Sequence, residues 1–137
     1  MVIQGINPIA VLTAALSAFA LGGLWYSPVL FGRIWQREAQ VEQTSKRHGV
    51  KVFIMAFLLS CLAALAMALL LQRKPGFFMA LHTGLLAGLC WVSTSFGINY
   101  LFAGRSFKLF LIDAGYHTLQ FVLYGLVLGL WSTFQNT

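Results

Sequence analysis

Asp113 and His117 are the residues of this chain best placed to do chemistry. Its three acids are Glu38, Glu42 and Asp113, and only Asp113 lies inside a long apolar run. A carboxylate at membrane depth costs at least ~2.5 kcal/mol and so needs a partner, or water within a protein interior. His117 follows at i+4, on the same helix face. Such a pair can exchange protons near neutral pH or share a metal. Gln120 and Tyr124 continue that face. A third metal ligand would have to come from His48, and no ligand-rich motif supports one, so neither a metal nor a cofactor is expected. The chain has no nucleophile elbow, phosphate-cradling glycine loop or paired carboxylates. It reads more readily as a non-enzyme than as an enzyme.

The elements that must position these residues follow from composition. The chain has 137 residues, 59% hydrophobic and 9% charged, with a mean hydropathy of +0.81. A soluble domain is about a quarter charged, so soluble, disordered and secreted disulfide classes are excluded. Four stretches reach the roughly 20 apolar residues a spanning helix needs: about 8–26, 50–71, 80–100 and 109–131. The reading is an all-α, integral membrane four-transmembrane-helix bundle, one domain over 1–137. Short connections make successive helices antiparallel neighbours. Nothing basic precedes Arg33, so the first span reads as a retained helix and not a cleaved signal. Cys61 and Cys90 sit within spans, where a thiol packs as a small hydrophobe.

The net charge of +6 invites a nucleic-acid reading, but the cations sit in gaps between apolar runs. They read instead as a topology signal. Arg33, Arg37, Lys46, Arg47, Lys51, Arg105 and Lys108 fall on one side, against Arg73 and Lys74 on the other. Both termini are then outside a bacterial inner membrane, with the first and third connections in the cytoplasm. The linker after the first span carries Phe31, Ile34, Trp35, Arg33 and Arg37, which suits an interfacial segment on the headgroups. Glu42 and Lys46 are spaced for a helical pair.

Small residues recur at four-residue spacing in every span: Ala14, Ala18, Gly22; Ala56, Ser60, Ala64, Ala68; Gly84, Gly88, continued by Ser95 and Asn99; Gly125, Gly129. Such ridges let membrane helices approach closely. They predict a tight bundle and favour a homo-oligomer. The polar residues gather in the cytoplasmic leaflet: Trp25, Tyr26 and Ser27 at the end of the first span, Ser95 and Asn99 late in the third, Asp113 and His117 early in the fourth. Asn99 and Tyr26 are candidate partners for Asp113, with Arg105 as a counter-ion. Two functions compete. One is a binding or transport site for a small solute, proton or lipid, formed by Asp113, His117, Asn99, Tyr26, Trp25 and Ser27. The other is a structural or partner-binding subunit whose polar cluster fixes helix packing. The partners expected are the lipid bilayer and a second copy, with a small molecule or lipid as ligand and no nucleic acid.

The run Gly22-Gly23-Leu24-Trp25-Tyr26-Ser27-Pro28-Val29-Leu30-Phe31-Gly32-Arg33-Ile34-Trp35 resembles the signature of domain of unknown function family 1761, small bacterial membrane proteins. Asn7 before an Ala-rich helix and Asp113-Ala114-Gly115-Tyr116 leading into Gly125 and Gly129-Leu130-Trp131 are similar too. The resemblance implies a compact four-helix membrane protein and no established activity. It marks Trp25, Tyr26, Ser27, Pro28, Gly32 and Trp35. Pro28 disfavours helix at Ser27, so the first span ends in an elbow there.

Overall fold

The computed structural model describes residues 5–41, 49–71 and 75–134. The proposed Glu42–Lys46 pair, His48 and the turn cations Arg73 and Lys74 lie outside the described residues. The chain is all-helical: α1 (Pro8–Trp25), α2 (Gly32–Glu38), α3 (Val50–Leu71), α4 (Phe77–Leu86), a π-helical turn (Ala87–Val92), α5 (Ser93–Phe102) and α6 (Phe107–Phe134). From α4 to α5 the helix is continuous. Pro8–Trp25, Val50–Leu71, Phe77–Phe102 and Phe107–Phe134 are each long and apolar enough to cross a membrane. The third and fourth begin earlier than expected, because caps set their ends. Gly76 precedes α4 in extended conformation, and the Ser106 hydroxyl accepts the Leu109 amide at the start of α6. Asn7 caps α1 through the Ile9 and Ala10 amides, with Pro8 at the first helical position, where its missing N–H costs nothing.

α6 is the hub. It packs along α1 and along the α4–α5 helix, and it touches α2 and α3; α3 lies mainly against α1. The core is built from small side chains, Ala14, Ala15, Ala18, Ala64 and Ala80 among them, around Met67 and Tyr124. Large apolar side chains cover the outside instead; Leu101 is 83% and Phe102 92% exposed. Water would not tolerate so continuous an apolar surface, whereas lipid does. Most of the small ridges are turned inward. A Cβ on Gly84 would collide with the Phe121 carbonyl, and one on Gly125 with the Ala80 carbonyl. Those two helices therefore meet backbone to backbone. Ala56, Ser95 and Asn99 are exceptions and face out.

The π turn carries one residue more than an α turn. Counting straight from Gly84 and Gly88 at 3.6 residues per turn puts Trp91, Ser95, Asn99 and Phe102 on the α6 side. The extra residue shifts that phase, so Ser93, Phe96 and Tyr100 meet α6 instead. The Ser93 hydroxyl marks the widened turn by donating to the Gly88 carbonyl five residues back, at 2.9 Å. Deleting Leu89 restores a four-residue step from Gly88 to Ser93 and leaves both flanks in register. The melting midpoint of that deletion in mild detergent is expected within about 5 °C of the parent. Deleting Leu85 instead brings Leu89 to the place of Gly88, against the Thr118 backbone, and should abolish the folded peak in gel filtration.

Candidate functional site: the Asp113 constellation

Asp113 sits in the second turn of α6 and is buried at 7% exposure. Its carboxylate accepts three hydrogen bonds from three other segments. The Tyr26 hydroxyl, just past α1, donates to Oδ1 at 2.7 Å. The Trp35 indole N–H, from α2, donates to the same oxygen at 2.9 Å. The Tyr100 hydroxyl, from α5, donates to Oδ2 at 2.5 Å. A carboxylate offers about four lone-pair sites, so neutral protein donors fill most of them. Among the described residues no cation pairs with Asp113. Arg105, expected as a counter-ion, is exposed in the turn before α6. Gly104 makes that turn with φ +62°, and the Arg105 amide closes it on the Tyr100 carbonyl at 3.0 Å.

The elbow that delivers Tyr26 and Trp35 is built locally. The Ser27 hydroxyl donates to the Leu24 carbonyl at 2.7 Å, and the Ser27 carbonyl accepts the Leu30 and Gly32 amides at 3.1 and 2.9 Å. Gly32 starts α2 against the Tyr26 carbonyl, where a Cβ would collide. Only glycine permits that approach. The Trp25 indole N–H donates to the Ile112 carbonyl at 3.0 Å, and its ring lies beside Gly115 and Phe31.

Of the five residues expected around Asp113, Tyr26 alone hydrogen-bonds the carboxylate. Trp25 braces the backbone next to Asp113, and Ser27 shapes the elbow. Asn99 is a correction: it is exposed and away from Asp113, because the π turn rotates it to the outer face. His117 is near but bonds elsewhere. Its Nδ1 meets Gln120 Oε1 at 2.7 Å, and its ring stacks on Phe96 at 4.7 Å. Trp35 and Tyr100 were not expected as donors. Trp35 read as a headgroup anchor, yet its N–H turns inward. The i, i+13 spacing of Tyr100 and Asp113 across a short turn was the available signal.

A second polar chain runs deeper. Tyr124 donates to the Ser60 carbonyl at 3.1 Å and accepts from Gln120 Nε2 at 2.7 Å. Gln120 therefore turns its oxygen to His117, and His117 Nδ1 is the donor in that pair. Among the described residues no buried side-chain polar atom lacks a partner, and no group of three metal-ligating side chains occurs.

No curated protein and no solved structure matches the chain. A family model described as Protein of unknown function (DUF1761) matches residues 9–129. That span holds α1 from its second residue, α2 to α5 whole and most of α6, with the elbow, Tyr100 and Asp113 inside it. The chain belongs to the DUF1761 family.

Proposed function

We propose that this protein is a self-associating structural or partner-binding subunit of the bacterial inner membrane, and that the Asp113 constellation is its clasp. One observation carries the reading. Tyr26, Trp35 and Tyr100 come from three separate segments and spend their donors on one carboxylate. An acceptor with most of its lone-pair sites filled fixes the register of its donors and leaves little capacity for a solute. The charge distribution supports an orientation with both termini outside. The described cations Arg33, Arg37, Lys51, Arg105 and Lys108 all belong to the ends of elements near the elbow, which the positive-inside rule assigns to the cytoplasm.

A second reading, binding of a small ligand or proton, has its own support in His117. Its Nε2 has no hydrogen-bond partner among the described residues and is not sealed off. Native mass spectrometry from mild detergent separates the two, with Asp113→Asn and His117→Ala beside the parent. The clasp reading expects identical bound-mass patterns in all three. A defined extra mass on the parent that either variant loses would establish a ligand site and overturn it.

A further inference from the structure

We propose that the outward face of α5 and the π turn is where a second copy of this chain packs. The proposal rests on the self-association read above and names its surface. Trp91, Ser95, Ile98, Asn99 and Phe102 recur at i, i+4, i+7, i+8 and i+11, which is one side of a helix. All five are exposed, Trp91 by 64%. The other side of the same helix is taken up by α6, through Ser93, Phe96 and Tyr100.

Lipid is a poor occupant for this face. Trp91 is the fifteenth residue of the 26-residue span Phe77–Phe102. At 1.5 Å per residue it lies roughly 16 and 21 Å from the two ends, near mid-membrane. Membrane tryptophans favour the headgroup level, where the indole N–H finds water. Here neither the Trp91 N–H nor the Asn99 carboxamide has a hydrogen-bond partner among the described residues. The Ser95 hydroxyl donates to the Trp91 carbonyl at 2.7 Å, so its lone pairs remain open. An acyl chain cannot satisfy an indole N–H, and hydrocarbon penalises leaving it unpaired. Asn99, three residues from the end of the span, lies about 4.5 Å from that end at 1.5 Å per residue, at headgroup level.

A second copy supplies what is missing. Related by a two-fold axis along the membrane normal, each face meets itself. Asn99 then faces the second copy's Asn99, and a carboxamide is both donor and acceptor. The Trp91 N–H has the open Ser95 oxygen one turn away. Ser95, Ile98, Asn99, Phe102 and Ala103 line a shallow, open depression. There small Ser95 and Ala103 alternate with Ile98 and Phe102, as helix packing through small residues requires.

The test is thiol cross-linking of the full chain in native membranes. The parent carries Cys61→Ala and Cys90→Ala, and receives Ser95→Cys or the control Leu62→Cys on the exposed side of α3. Copper-phenanthroline oxidation should yield a band at twice the chain mass from Ser95→Cys, at least fivefold above the control. Adding Asn99→Leu with Trp91→Leu should cut that yield at least threefold. No excess over the control overturns the proposal. Light scattering in detergent then distinguishes the cause: a dimer means that another face associates, and a monomer removes the self-association reading as well. A cross-linked band of any other mass names a different protein as occupant and also overturns the proposal.

Discussion

Asp113→Leu should lower the melting midpoint in mild detergent by on the order of 10 °C. The substitution removes the acceptor of Tyr26, Trp35 and Tyr100 at once. An unpaired buried donor costs about 1–3 kcal/mol in soluble proteins, and membrane hydrogen bonds average nearer ~0.6. Three together give roughly 3 kcal/mol, and at this size each kcal/mol moves a midpoint by about 2–8 °C. Asp113→Asn keeps an oxygen for Tyr26 and Trp35 and lacks only the second acceptor, so less than half of the loss is expected. Tyr26→Phe, Trp35→Phe and Tyr100→Phe should each cost about 1 kcal/mol. A midpoint for Asp113→Leu within 2 °C of the parent would show that the clasp holds nothing.

The larger loss is expected from Gly125→Val. Its Cβ would stand in the Ala80 carbonyl, and the reciprocal contact sets Gly84 against the Phe121 carbonyl one turn away. Neither contact can relax by a side-chain rotation, because both obstacles are backbone. Relief requires α4 and α6 to separate, which opens the row from Ala80 to Gly88 along its length. Little or no monodisperse protein should be recovered by gel filtration, against full recovery for Gly23→Ala. A Cβ at Gly23 meets nothing within 4 Å, and alanine favours helix by up to ~1 kcal/mol. Parent-like recovery and melting of Gly125→Val would contradict the close α4–α6 packing.

The spans were legible because apolar length is a strong signal, and so were the ridges that bring α4 onto α6. Asp113 stood out because a lone acid in an apolar run must be accounted for, and Tyr26 followed from its end-of-span position. Trp35 was misread for a physical reason. An aromatic after a proline elbow fits the headgroup belt as well as it fits an inward hydrogen bond, and only the tertiary turn at Gly32 decides. Asn99 was assigned to the wrong side because a helix counted at 3.6 per turn carries no sign of a five-residue step. His117 and Asp113 share a face, but Gln120 competes for the imidazole at i+3.

The position of α6 as hub has a consequence for how the protein is made. Every donor to Asp113 precedes it in the chain, Tyr26 by 87 residues and Trp35 by 78. Helices α1 and α4 are held to one another chiefly through α6. A chain that ends before Asp113 therefore keeps the direct α1–α3 packing but lacks the element that chiefly joins the α4–α5 helix to it. The Tyr26, Trp35 and Tyr100 donors acquire their common acceptor only once α6 is in place. The last helix to be made is thus the one that completes the fold.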